Sequence, residues 1–384
     1  MNKWYRFTMI AVGIAVIVVA VRTCQSSRDT LESIQNQENA GQSNPELTLK
    51  DVTLEQPDDN GGLLWRVKAE EATYSPDRRL ASLKSPEGEL FQDGKLLYEV
   101  KADQGEIREN GESIFLQGNI VAVSPDNQVT LRGNSLEWTP EEDLLLVRDN
   151  ISGDHPQLKA AAQEARLFNR TQRLELLRGV MATTQQEPWI GFESETLIWL
   201  LDEEKLETDM PLQVEQYVAK DDSTVTDRLI GRQGEFDLIE QRATLRQQVQ
   251  LNALEIPLQT NSDIAVWDTV DSTVVIDTPV QIQYPRRKIT ANANQARLNL
   301  NTEILVLNGS VRSVDQERQS LLIADQLTWN IETQDVEGQG NVSYRQQDPA
   351  ATVNGDRAVG NLDEQTVLVT GRNVVTEIVP SELQ

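Results

Sequence analysis

Ala-Asn-Gln-Ala-Arg-Leu at 293–298 returns as Ala-Asp-Gln-Leu-Thr-Trp at 324–329 and as Gly-Asp-Arg-Ala-Val-Gly at 355–360. The segment that closes each unit keeps the same step. Leu307-Asn308-Gly309-Ser310-Val311 is followed by Gly338-Gln339-Gly340-Asn341-Val342 and by Val369-Thr370-Gly371-Arg372-Asn373-Val374, so Gly309, Gly340 and Gly371 lie 31 residues apart. A unit this short cannot bury a core alone, so copies must stack. Its apolar spacing is two: Leu298 and Leu300 alternate with polar residues, and Ile304 and Val306 interleave with Leu305 and Leu307. That is strand periodicity. The glycines lie where a strand ends or bends, as a bulge or tight reversal requires.

Working outward, strand patterns begin at Leu47. Trp65, Val67 and Ala69 share one face ahead of a turn at Ser75-Pro76-Asp77. Leu80 to Leu90 with the Phe91-Gln92-Asp93-Gly94 corner reads as a further hairpin, and Leu96 to Ile107 repeats the form of 65–74. Ile114 to Ile120 is a glycine strand through Gly118, and Leu174 to Val180 is another through Gly179. Leu158 to Phe168 alone reads as a helix, from its alanines and Glu164. Its likeness to 293–298 makes it a strand instead. Residues 202–224 are acidic and turn-rich, with Pro211, and a boundary between two sheet domains is expected near Lys220.

Before the strands, Lys3 and Arg6 precede an apolar run from Phe7 to Val21 that includes Ile10, Val12, Ile14, Val16, Ile17, Val18 and Val19. With Trp4 and Tyr5 at its edge, this run reads as an uncleaved membrane anchor, N-terminus in the cytoplasm. A cleaved signal peptide is the alternative. Arg22 spoils both a cleavage site and a lipidation signal at Cys24. The expected fold is therefore all-β: a transmembrane helix (1–24), a polar tether (25–46), and stacked short antiparallel strands in two domains, 47–220 and 221–384, winding as an elongated twisted β-jellyroll or a solenoid.

Charge and chemistry exclude several functions. With 61 acidic against 35 basic residues, the chain is a poor partner for nucleic acid, whose phosphates need neutralising. One cysteine and one histidine, Cys24 and His155, leave no zinc set and no Cys-His pair. The acids in 195–209, with Asp221-Asp222 and Asp335, follow no calcium-loop spacing. Gly231-Arg232-Gln233-Gly234 has no lysine or helix to cradle phosphate. No catalytic residue, metal or cofactor is expected.

The notable chemistry is apolar. Trp65, Val67, Leu116, Ile120, Leu136, Trp138, Leu146, Leu174, Leu176, Leu197 and Trp199 are expected on one inner surface. In a closed sandwich they fill a core. In an open jellyroll they line a groove for acyl chains, each buried methylene contributing about 0.8 kcal/mol. Periodicity does not separate the two. End strands with unpaired edges predict a partner at each end of the array, by edge-to-edge pairing.

The short anchor, the 65–74 strand, the glycine strand 114–121 and the sheet through Gly179 resemble the LptC component of lipopolysaccharide export. Residues 291–298, 307–311, 324–329, 338–344 and 367–374 are similar to OstA/LptA-like units. The resemblance implies a jellyroll fixed to the inner membrane, periplasmic in its bulk. It would take lipopolysaccharide from an ABC transporter permease that has its own β-jellyroll domain, and pass it to a bridge protein of OstA/LptA type. The family's anchored component is often half this length. The second half then has three open roles: replacing part of the bridge, dimerising, or capping the groove. A different class of function is a structural envelope scaffold with a filled β core and no lipid cargo.

Overall fold

The computed structural model describes residues 47–378, apart from 59–60, 109–111, 126–127, 221, 349 and 373. The expected anchor and tether, with Cys24, lie outside these residues. Among the described residues no helix is long and apolar enough to cross a membrane. The described residues lie in one compact unit. Their 28 strands belong to one array, and the pairs are antiparallel throughout, from Leu47–Pro57 against Leu63–Tyr74 to Ala351–Asn361 against Val375–Ile378. Leu158–Phe168 is a strand, as the repeat requires.

The array makes two layers because its long strands change partners halfway. In Ser113–Ser124 the first half pairs with Gln104–Arg108, while residues 121–123 pair with Lys95–Lys101. Between the halves sit Gly118 and Asn119, both with positive φ, where the register shifts. The same corner recurs at Asp149-Asn150, Arg178-Gly179, Gln247-Gln248, Gly309-Ser310 and Gly340-Asn341, both residues having positive φ each time. Glycine is needed where the neighbouring strand fills the space. A Cβ on Gly340 would lie 2.5 Å from Asp325 Oδ2, and that same oxygen accepts from Asn341 Nδ2 at 2.7 Å. Asp325 is the second residue of the repeated motif, so motif and glycine are two halves of one corner.

Leu80 to Leu90 departs from the single hairpin expected. It breaks into Leu80–Lys84, paired with Gln104–Arg108, and Glu87–Gln92, paired with Lys95–Lys101, so its halves enter different layers. Pro86 stands at the break, where it has no N–H for a ladder. The stretch 202–224 holds two strands, Lys205–Thr208 and Leu212–Tyr217. Leu212–Tyr217 pairs with Val225–Gly231, so the ladder continues past Lys220.

At the outer rim of the second layer, four-residue turns stack. The N–H groups of Leu201, Leu238, Thr269, Leu300, Ile331 and Leu362 donate to the carbonyls of Gln172, Glu204, Gln241, Ser272, Glu303 and Gln334 at 2.8–3.0 Å. From Leu238, the second of these, the preceding residue is Asp237, Asp268, Asn299, Asn330 or Asn361, again in steps of 31. Each side-chain oxygen accepts the backbone N–H three residues on, at 2.7–3.0 Å. These Asx turns set where each hairpin reverses.

Candidate functional site

The space between the layers is where the predicted residues converge. Trp65, Val67, Leu116, Ile120, Leu136, Trp138, Leu174, Leu176, Leu197 and Trp199 are each at most 4% exposed and belong to one packed interior. Leu146 does not join them. It stands opposite Glu137 and Arg166, on the outer face, whereas its neighbours Leu145 and Val147 stand opposite Trp138 and Leu136. Leu144 to Val147 is apolar at both parities, so only the register decides which side faces in. Beside Leu146 on that outer face, the buried Glu164 carboxylate pairs with Arg166 at 2.6 Å and Arg178 at 3.2 Å.

Register joins the inner residues of the second layer into one line. Ile114 faces Trp138, then Leu145, Leu167, Leu174 and Trp199 follow across successive strands. The line goes on through Leu206, Phe236, Ala243, Trp267, Val274, Leu298, Leu305 and Trp329. It ends with Val336 and Gly360. The sequence reading stopped at Trp199 and missed the second half of this line. The signal was present: Trp267, Leu298, Trp329 and Gly360 are one repeat apart.

Opposite the corners, side chains of the two layers meet and close the interior. Gln92 Nε2 donates to Asp143 Oδ1 at 2.7 Å, and the Tyr98 hydroxyl to Asn169 Oδ1 at 2.5 Å. Burial pushes the Tyr98 hydroxyl pKa well above its ordinary value. Farther along, Gln157 bonds Glu204, and the His155 ring meets Trp199 edge-on at 4.8 Å. Burial lowers the His155 pKa and favours the neutral ring, against the pull of Glu204. Phe192 meets Phe236 at 4.8 Å and Tyr284 meets Trp329 at 5.0 Å, both edge-on. At the far end Arg287 and Arg318 both donate to the Leu362 carbonyl, and Arg287 also pairs with Asp363.

Polar groups also reach this interior. The indole N–H groups of Trp138, Trp199, Trp267 and Trp329 are buried without an acceptor, a cost of about 1–3 kcal/mol each. Asp227 is buried on the inner face of Val225–Gly231, and burial pushes its carboxyl pKa up to about 6. Among the described residues no set of three His, Cys, Asp or Glu side chains is gathered to hold a metal.

At each end of the array a strand edge is unpaired among the described residues. Leu47–Pro57 pairs only with Leu63–Tyr74. Thr366–Thr370 and Val375–Ile378 pair only with Ala351–Asn361, leaving Leu368 and Val375 exposed at 65% and 60%.

A model of the family described as lipopolysaccharide-assembly, LptC-related, matches residues 10–185 and 259–376. No curated protein matches the chain. Among solved structures, the chain is similar to LptH, the LptA homologous periplasmic component of the conserved lipopolysaccharide transport device from Pseudomonas aeruginosa. That similarity is 13% identity over 37% of this chain and 76% of the other, with a TM-score of 0.19.

Proposed function

The chain belongs to the LptC-related lipopolysaccharide-assembly family, and on that premise we propose that it is a membrane-anchored carrier passing acyl chains along its apolar interior. The apolar run 7–21 holds it in the inner membrane. An ABC permease with its own β-jellyroll domain loads it, pairing with the free edge at Leu47–Pro57. A bridge protein of OstA/LptA type unloads it at the edge formed by 366–378. The observation that carries this reading is the inner apolar line, unbroken across sixteen strand positions from Ile114 to Gly360. A chain moving along such a line exchanges one apolar contact for another, with little change in free energy at each step. The four unpaired indole N–H groups supply donors of the kind that ester and amide carbonyls of a lipid accept. The layers must part on their free side, at Gln92–Asp143, Tyr98–Asn169 and Gln157–Glu204, for cargo to enter.

A second reading, a structural envelope scaffold with a filled core, draws on the burial of the same residues. The two differ in whether lipid reaches Trp138. A photoreactive side chain at Trp138 of the full chain, given lipopolysaccharide, is expected to form a lipid adduct that a probe at the outward Glu137 does not. No adduct at Trp138 or at Leu176, in folded protein, would leave the scaffold reading. The division at Lys220 assigns loading to 47–220 and onward transfer to 221–384. Deleting 221–384 is then expected to spare permease contact and impair transfer; undiminished transfer would end that assignment.

A further inference from the structure

The interior cavity beside Trp329 is small, about 80 Å³, and opens where Gly338, Ala358 and Gly360 stand at inward positions. A larger cleft, about 330 Å³, lies on the outside of the array, over Leu63–Tyr74, Leu80–Lys84, Gln104–Arg108 and Ser113–Ser124. Two outward rows make its floor. Glu71, Lys84, Gln104 and Gln117 stand opposite one another in one, and Thr73, Ser82, Glu106 and Phe115 in the other. Beyond the cleft the rows change character. They run on through Ser135 and Arg148, and through Glu137 and Leu146, where Arg148 pairs with Glu137 at 3.4 Å.

The cations at the cleft are already engaged. Lys84 pairs with Glu70 at 3.0 Å and Arg108 with Glu106 at 2.7 Å. Glu71 adds a further carboxylate, which repels an anionic ligand. The Arg108 guanidinium also lies over the Phe115 ring, 5.0 Å from its centroid, and holds that ring as an apolar wall. The uncharged groups are in a different state. Farther along the outer face, amides bond a neighbour: Gln295 to Asp277 at 3.3 Å, Gln326 to Asn308 at 2.8 Å and Gln339 to Glu337 at 2.7 Å. Among the described residues, the side chains of Ser82, Gln104 and Gln117 have no such partner.

We propose that this cleft binds a neutral oligosaccharide, its hydroxyls on Ser82, Gln104 and Gln117 and a C–H face against Phe115. A sugar hydroxyl donates and accepts at once, as a serine hydroxyl and a glutamine amide also do. Being uncharged, the sugar neither competes for the paired cations nor meets the repulsion of Glu71. A few convergent polar groups beside an apolar wall in a concavity are the general form of a small-ligand site. The space equals that needed by on the order of twenty waters, which is room for a sugar ring. The cleft is on the outer face, so the inference goes beyond the carrier reading and does not depend on lipid reaching the interior.

The test is saturation-transfer NMR of the full chain in lipid nanodiscs, titrated with maltotetraose, with chitotetraose and, as the acidic counterpart, with tetragalacturonate. Transfer to a neutral sugar is expected. Transfer to neither overturns the inference, and so does tighter binding of the acidic one. Ser82→Trp fills the cleft from an exposed strand position, where an aromatic is tolerated, and is expected to weaken binding at least tenfold. The pair Gln104→Ala, Gln117→Ala leaves the cleft open and is expected to weaken it about tenfold. Unchanged affinity in either folded variant overturns the site; should Ser82→Trp fail to fold, the amide pair decides. Gln339→Ala, on the outer face away from the cleft, is expected to bind as the parent does, and an equal loss there overturns the assignment. Preference for chitotetraose identifies N-acetylated sugars, and preference for maltotetraose identifies plain hexoses; either outcome supports the site. A lipid adduct at Trp138 with no sugar bound ends this inference alone. Sugar bound without that adduct ends the carrier reading alone.

Discussion

The strands before residue 210 and those after 230 build the same two layers with different means. In the earlier region the hairpin turns follow Thr139, Phe168 and Leu200, and corners fall at Gly118-Asn119, Asp149-Asn150 and Arg178-Gly179. In the later region an Asp or Asn precedes each second-layer turn at a constant step of 31. The interiors differ in the opposite sense. Trp138, Leu145 and Leu174 fill the earlier interior, whereas Gly338, Ala358 and Gly360 thin the far end of the later one. Regular spacing therefore reports turn chemistry, and bulk reports the core. The clearest repeat runs on into the strands with the weaker packing.

The largest expected effect breaks that contrast most directly. Trp138→Ala is expected to cost about 3–5 kcal/mol, the range for a large aromatic lost from a filled core. Trp329→Ala, beside an existing cavity, is expected to cost about 2 kcal/mol, since fewer packed contacts are forfeited. Stacked repeats need not unfold together, so hydrogen exchange resolved by peptide is the suitable measurement. Equal losses would mean that the two interiors are equally packed.

The junction between the regions gives the next effect. Asp227 faces inward there, and burial, with a smaller contribution from Glu255, raises its carboxyl pKa to about 6. The folded chain thus keeps this proton at pH values where the unfolded chain has lost it. The contribution is favourable at low pH, falls between about pH 4 and 6, and stays lost above that. Asp227→Asn is expected to flatten this slope and to add about 2–3 kcal/mol at pH 7.5 relative to pH 4. Unfolding followed by tryptophan fluorescence at both pH values, variant against parent, checks it; an unchanged difference would mean the carboxyl is not held apart from water.

Corner glycines give a smaller, sharper test. Gly179 and Gly340 both have positive φ, but a Cβ on Gly179 meets nothing within 4 Å, whereas on Gly340 it meets Asp325. Gly179→Ala is expected to cost about 1 kcal/mol, from the backbone alone. Gly340→Ala is expected to cost about 1–2 kcal/mol more, because Asp325 must also leave Asn341. Exchange rates in the peptides flanking each corner report the difference, and equal costs would remove Asp325 from the explanation.

Much of this architecture was legible in the order of residues, for physical reasons that also mark where legibility ends. Period two made 298–308 strands, and similarity to 293–298 overrode the helical composition of 158–168. Leu146 was misplaced because its neighbours are apolar at both parities. The corner at Gln247-Gln248 was missed because two glutamines carry no sign of positive φ. Ser85-Pro86 was passed over as part of one strand. The closure of the free side was not readable at all. Gln92, Gln157, Arg287 and Arg318 sit in or beside turns, outside any period, and their partners lie 44 to 76 residues away.

The smallest effect concerns the turns themselves. Asn330 Oδ1 accepts the Thr333 N–H at 3.0 Å, while Phe168 at the equivalent place has no side-chain oxygen to offer. Both turns reverse with a left-handed fourth residue, Gln334 and Gln172, so the Asx bond is not what creates the reversal. It satisfies one rim N–H, that of Thr333. Asn330→Ala is expected to cost about 1 kcal/mol, one hydrogen bond's net contribution, and to speed exchange at Thr333 without moving the strand register. Phe168→Asn is the reciprocal change: it is expected to slow exchange at Thr171 by a few-fold. If Asn330→Ala instead shifted the pairing of Ser320–Asn330 with Asp335–Gln346, the Asx residues would be setting register, and the 31-residue step would be the cause of the later region's order and not its trace.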